Sequence, residues 1–531
     1  MNSHKIEVAA WYMKNEDPPH LNSKSASPKD DLARLVVDIE RALEQRNYAR
    51  AAQLVQGNIA AAWFSFPTAQ LTEILGRLVR NLQEPPPFVA AAYRILTASS
   101  ADLTNTHGLV ESLDADDPAQ MFVLAMFRMS DYRIHGHITE ALEQVDTAEH
   151  YLSQLRSGLD PRGGWLLNAA VQMGTTAMLA GDFTRALSSL MRAQMLPAIP
   201  MFRFLQREAI VKSALIHACF GNAATADGLL KRTENIPRTS SWAETHIDAQ
   251  EEFVRILTYS GNMEEALDRL EAISLQEIGE MWPFYIVAFH QVLEASGHHD
   301  ELEHRLEMFD SLPLPRIDGE GFTGSIIPLK RAMVALSVGR GSEALKLLER
   351  TDQRLTYTKL VKIATDLYVG RVRQAKEQAY GLRKETRGFR LMEIRRLAIL
   401  SAAQYMDGDL DGCIQTLSWA AGLPRGLSPT EVLLFSREMT QLAQEHVENW
   451  PKRSAGKTIF LPELPQPGRA LTGREIEILE LLAHGHSRAE IAERLFISVS
   501  TVKSQLQSLY RKLEVSSAAD AIFEGERRGV L

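Results

Sequence analysis

Cysteine is nearly absent: Cys219 and Cys413 are the only two in 531 residues. So few thiols, set so far apart, supply neither a disulfide framework nor a structural zinc site, and they suit a reducing cytoplasm. Long apolar runs are missing too. Nowhere do about eighteen uninterrupted apolar residues occur, and the opening Met1-Asn-Ser-His-Lys-Ile-Glu-Val8 has no apolar leader core. The expectation is a chain that neither crosses a membrane nor is secreted. A net charge of −9, with 24% charged and 45% hydrophobic residues, excludes a general coat for polyanions and still permits one local nucleic-acid site.

Catalytic frames are equally scarce. Gly456-Lys-Thr458 is not a phosphate loop, since position 451 is Pro where that loop requires Gly and Ile-Phe-Leu-Pro follows in place of a helix. His298-His-Asp-Glu301 with His304 lacks a His-Glu-x-x-His frame and reads as the polar start of a helix. His135-Gly-His137 and His484-Gly-His486 read as turn histidines, and no Gly-x-Ser-x-Gly elbow occurs. No cofactor, metal or enzyme activity is expected. A buried, pKa-shifted polar cluster would be needed to revive an enzyme.

Strand signals are few between Lys5 and Asn449, where Ala, Leu, Glu, Gln and Arg dominate and the pattern is helical. One spacing recurs there: Gly136-x4-Ala141, Gly181-x4-Ala186, Gly221-x4-Ala226, Gly261-x4-Ala266, Gly339-x4-Ala344 and Gly370-x4-Ala375. Gly297-x4-Leu302 and Gly408-x4-Cys413 are variants, and Asn47-x4-Ala52 is an imperfect first copy. Each Gly fits a left-handed turn between two helices, and the small residue five positions on lets those helices approach. Around Glu84-Pro-Pro-Pro87 the pattern fades, which predicts an irregular pair. The fold class expected is all-α: an α-solenoid of roughly nine or ten hairpins with a small helical domain behind it. The first helices of such hairpins line a concave surface. Phe202, Phe204, Trp282, Phe284, Tyr285 and Phe289 fall on these helices; core packing is the first reading of each one, and a surface for a small-molecule or protein partner is the alternative.

The last stretch carries most of the information. Thr472-Gly-Arg-Glu475 and Ser487-Arg-Ala-Glu490 are capping boxes, Gly485 suits a left-handed helix end, and Ser498 is an N-cap candidate. From there Val499, Val502, Leu506, Leu509 and Leu513 make one apolar face, opposite Ser500, Lys503, Ser504, Gln507 and Arg511. No acidic residue falls between Ser498 and Lys512. A short helix, a tight turn and a helix with a polar, acid-free front make a helix-turn-helix suited to a DNA major groove.

These residues, with Leu471-Thr-x-Arg-Glu, Glu490-Ile-Ala, Leu495-x-Ile-Ser498, Thr501-Val-Lys503 and Lys512-Leu-x-Val515, resemble the LuxR-type (GerE-like) domain of transcriptional regulators. The resemblance implies that Lys503, Ser504 and Gln507 read bases, and that Ser487, Ser498, Thr501 and Arg511 meet phosphates. It further implies that Ala519, Ile522, Phe523 and Glu526, on the final helix, pair two copies on a two-fold site. Double-stranded DNA, a homodimer and RNA polymerase are the implied partners, in the cytoplasm of a bacterium. Gln505, Glu514 and Ala518 depart from the usual His, Gly and Arg. From Leu471 to Leu531 there are eight Lys or Arg against nine Asp or Glu, so the domain is not basic. An interaction scaffold whose terminal domain has lost DNA binding is the alternative. The arm resembles degenerate tetratricopeptide repeats, and Ala9-Ala-Trp-Tyr-Met-Lys-Asn-Glu-Asp17 resembles the start of the repeat arm in large MalT-like regulators, whose ATPase would precede it. The expected division is 1–30 as helix and mobile connection, 31–450 as arm, 451–470 as a proline-rich linker and 471–531 as head.

Overall fold

In the computed structural model, residues 29–66, 68–97, 116–155, 164–198, 200–239, 241, 243–259, 261–453, 471–528 and 530–531 are described. The opening segment and most of the proline-rich linker lie outside them. Among the described residues all regular structure is helical.

The repeats are helical hairpins. Gly164–Ala180 turns into Phe183–Met195, Gly321–Ser337 into Gly341–Glu349, Thr356–Tyr368 into Val372–Gly381, and Arg390–Met406 into Leu410–Ala421. At the turns, Gly136, Gly181, Gly297, Gly339, Gly370 and Gly408 have φ between 78° and 89°. Gly221 differs: its φ is −103°, and Asn222 begins the next helix by accepting from the Ala224 and Thr225 amides. In the first copy the left-handed residue is Arg46, at φ 55°, one position before the expected Asn47. Asn47 instead caps its helix, accepting from the Arg50 amide at 3.1 Å. The residue five beyond each turn glycine is fully buried, including Ala141, Ala186, Ala344, Ala375, Leu302 and Cys413. That is the close approach the spacing demands.

Where the pattern fades, three helices follow one another, Ile59–Ser65, Thr68–Asn81 and Pro87–Thr97. Pro87 opens the last of these, at a position where its missing N–H costs nothing.

The hairpins curl until distant ones meet. Thr323 donates to the Leu179 carbonyl at 3.1 Å, and the Leu391 amide to the Gly221 carbonyl at 3.2 Å. The Phe220 ring lies 5.7 Å from Phe322 and 5.3 Å from Tyr357. The inward helices are consequently buried nearly all round, Gly164–Ala180, Arg203–Phe220 and Gly321–Ser337 above all. Of the two readings of the aromatics, core packing holds and the open partner surface does not: Phe202, Phe204, Trp282, Phe284, Tyr285 and Phe289 are each at most 7% exposed. Phe284 packs on Phe322 at 5.1 Å, and Tyr285 and Phe289 pack on Phe309 at 5.9 and 5.7 Å. Curling turns the inner face into core.

Several charges inside this core are paired. Arg133 meets Glu280 at 2.6 Å, Arg207 meets Glu244, Asp248 and Glu251, and Lys212 meets Glu208 at 2.6 Å. An unpartnered buried charge would cost several kcal/mol, roughly.

Candidate nucleic-acid interface

The head is built from Gly473–Ala483, Arg488–Arg494, Val499–Leu513 and Ala518–Arg528. Both capping boxes form: Thr472 and Glu475 exchange bonds of 2.7 and 3.2 Å, Ser487 and Glu490 bonds of 2.7 and 3.3 Å. Gly485 is left-handed at φ 81°. The tight turn before the reading helix rests on Phe496, left-handed at φ 52° and 95% exposed. Ser498 then caps the reading helix, accepting from the Thr501 amide at 3.1 Å.

Along that helix Val502, Leu506, Leu509 and Leu513 are buried, as their spacing requires. Val499, the first residue of the helix, is not: it is 50% exposed. Val502 and Leu506 close one small core with Ile478 and Ile491, and Leu509 and Leu513 another with Leu471, Leu479, Ala521 and Val530. Two side chains quoted only for their motif hold this frame. Arg474 donates to the Leu495 carbonyl at 2.5 Å, and buried Glu475 accepts from Lys512 at 2.7 Å. Burial raises the Glu475 pKa, but the Lys512 ammonium, the Thr472 amide and the Ser508 hydroxyl outweigh it and hold the carboxyl below its usual range. The signal for Lys512 was its place one turn behind the acid-free front, where a cation need not face DNA.

The polar front is open. Ser500, Lys503, Ser504, Gln507 and Arg511 are all exposed, each with another of the set three or four residues away, and so share one side. Ser487 and Ser498 are exposed beside it, while Thr501 is half-buried with its hydroxyl 2.7 Å from that of Ser498. Ser504 donates to the Thr501 carbonyl at 2.9 Å, which leaves its acceptor side outward. Lys503, Gln507 and Arg511 are the long side chains on that exposed side. Glu514 stands left-handed at φ 60° where the resemblance leads one to expect Gly, so the turn is kept by a residue that strains to make it.

On the terminal helix, Ala519, Phe523 and Glu526 are exposed and Ile522 is half-buried; Phe523 is 68% exposed. The same helix touches the arm. The Ser342 hydroxyl donates to the Glu526 carbonyl, and Leu345, Tyr368 and Val369 of the arm join the head's second core. Val369 is 2% exposed. The head therefore sits on two hairpin turns of the arm with its reading side outward.

Residues 469–524 match the family described as "Bacterial regulatory proteins, luxR family" (GerE). The C-terminal domain is a LuxR-family helix-turn-helix. Similar proteins include the Bacillus subtilis "Transcriptional regulatory protein DesR", 38% identical over 14% of this chain and 39% of that protein. "Transcriptional regulatory protein LiaR" of the same organism is 43% identical over 12% of this chain and 29% of that one. The Pseudomonas putida "HTH-type transcriptional regulator AlkS" is 25% identical over 26% of this chain and 17% of that protein, a stretch longer than the head. The matches thus span well under half of each relative. A solved structure titled "Structure of Naa15/Naa10 bound to HypK-THB" covers 94% of this chain at 11% identity, but its TM-score of 0.20 carries no argument. Among the described residues no helix is long and apolar enough to cross a membrane.

Proposed function

We propose that this chain is a transcriptional regulator whose helical arm receives a small molecule or protein and controls a head that binds two-fold DNA sites as a dimer. One observation carries the reading: in a LuxR-family head, the acid-free stripe from Ser500 to Arg511 is left exposed by the described residues. Lys503, Ser504 and Gln507 reach base edges in the major groove, and Arg511 with the Ser487, Ser498 and Thr501 hydroxyls fixes register on phosphates. Ala519, Ile522, Phe523 and Glu526 pair two heads. RNA polymerase is the partner such a bound dimer would engage.

With near-balanced charge in the head, one copy releases few counterions, so affinity depends on two heads binding together. The arm is placed to decide this, because the terminal helix that would pair is held at Glu526 by Ser342. A partner on the arm that shifts those turns changes how two heads are presented.

The same charge balance favours the second reading, an interaction scaffold without specific DNA binding. Selection of the full chain against random duplexes at low and moderate salt, beside Lys503→Glu, separates the two. Enrichment of a two-fold motif that the variant loses supports the regulator. No enrichment, or enrichment indifferent to the substitution, supports the scaffold.

A further inference from the structure

Where the curled arm closes on itself, a cavity of about 180 Å³ opens between hairpins far apart in sequence. Its walls include the rings of Phe183, Phe322, Tyr357 and Phe389, and its polar groups include the carboxylates of Asp182 and Glu385. Phe183 meets Phe322 and Phe389 edge-on at 5.6 and 6.1 Å, so the aromatic walls are fixed by one another. Among the described residues, no Lys, Arg or His lines the cavity.

Two cations, buried Lys330 and half-buried Arg395, lie behind this wall. Lys330 and Arg395 are each 5.2 Å from the Tyr357 ring centre, and Lys330 donates to the Tyr357 hydroxyl at 2.9 Å. That hydroxyl is thus engaged within the core. Glu385 accepts from Thr356 and Lys359, each at 2.9 Å. Asp182, exposed at the mouth, spends one oxygen on the Arg185 amide as a helix cap. Ring faces and carboxylates both attract a cation, and an anion would find no cationic donor on these walls. A cavity of roughly 150 Å³ accepts benzene, which sets the size of the guest.

The position is as telling as the lining. Helices Gly321–Ser337 and Thr356–Tyr368 present Phe322 and Tyr357 to the cavity at their first turns. At their far ends are the turns that carry the head: Gly339 leads to Ser342, and Tyr368 and Val369 enter the head's core. Tyr368 also donates to the Gly339 carbonyl at 3.3 Å, joining the two turns. At about 1.5 Å per residue each helix spans roughly 20–25 Å. Pro328 interrupts the hydrogen-bond ladder midway along the first, a natural point of bending.

We propose that this cavity is the arm's receiving site, that it takes a small organic amine with an apolar body about the size of one ring, and that these two helices carry its occupancy to the seat of the head. The proposal rests on the reading of the arm as a receiver of a small molecule.

The full chain without DNA is titrated calorimetrically with 2-phenylethylamine, 2-phenylethanol and phenylacetate. The expected order is amine first, alcohol weaker, phenylacetate not binding. Asp182→Asn preserves the helix cap, since Asn caps as well as Asp, and should weaken the amine about tenfold, the size of one charge-assisted bond. Glu385→Gln should weaken it less, because Lys359 already holds that carboxylate. Amide exchange at residues 339–345, 368–372 and 518–526 should change when the amine is bound. Equal or tighter binding of phenylacetate, no binding of the amine at millimolar concentration, an unaltered Asp182→Asn affinity, or unchanged exchange at the seat each overturns the proposal. None of these readouts involves DNA, so a failed duplex selection leaves them standing and their failure leaves that selection to be judged alone.

Discussion

Lys512 donates to Glu475 across 2.7 Å, with their side chains 11% and 2% exposed, so the back of the reading helix is bolted to the first helix of the head by a buried ion pair. Removing one partner leaves the other charged in an apolar setting. Lys512→Ala should destabilise the head by roughly 3 kcal/mol or more, read as a drop in denaturant midpoint. Because the folded Glu475 carboxyl titrates below its unfolded range, its contribution is complete above about pH 4.3 and is lost as pH falls through the lower folded value. Glu475→Gln should therefore narrow the gap in stability between neutral and acidic pH.

The left-handed Glu514 strains to make the turn that ends the reading helix. Glu514→Gly should relieve about 1 kcal/mol, offset in part by the freer unfolded chain. A higher melting temperature of the head's transition checks it; a fall would mean that the Glu514 side chain supplies more than the strain removes.

Gln507 and Arg511 occupy one stripe but should fail differently. Gln507→Ala should relax sequence preference, at a cost of about 1–3 kcal/mol for the favoured base. Arg511→Ala should weaken all sequences alike and reduce the salt slope by about one per phosphate lost. Anisotropy titrations over a range of salt, with preferred and scrambled duplexes, distinguish the two.

Two turn glycines with similar backbone make an internal control. Gly136 has φ 85°, and a Cβ there would stand 2.7 Å from Arg316 Cα and from the Pro315 carbonyl carbon. Gly297 has φ 78° and nothing within 4 Å. Gly297→Ala should cost only backbone strain, about 1 kcal/mol, and Gly136→Ala clearly more, since backbone must move. Thermal denaturation of both variants tests the difference.

Glu294 lies beside His290, 3.4 Å from it, where burial pushes its pKa up to about 8 against the opposing pull of Lys330 and Arg395. Between about pH 4.5 and 8 the folded arm holds a proton that the unfolded chain releases, so this group makes stability fall as pH rises. Glu294→Gln should flatten that fall, stabilising the arm near pH 8 by up to a few kcal/mol, roughly, and much less near pH 5.

The head was legible in the sequence because its signals are local. Capping boxes at Thr472 and Ser487, the left-handed Gly485 and the spacing from Val502 to Leu513 each depend on residues within a turn or two. The turn glycines of the arm were legible for the same reason, and so were the alanines five positions on. Arg46 shows the limit: without a glycine to mark it, the first turn was placed one residue late.

Sequence alone determined an all-α chain of repeated hairpins ending in a LuxR-family head, since helical periodicity and turn chemistry act over a few residues. Only tertiary structure decided that the hairpins curl until Thr323 meets Leu179, that Phe284 and its fellow aromatics are core, and that Ser342 and Val369 seat the head. Those outcomes come from small rotations between successive hairpins adding up along the stack. No local window of residues contains that sum, and it fixes where a cavity remains and which side of the head faces outward.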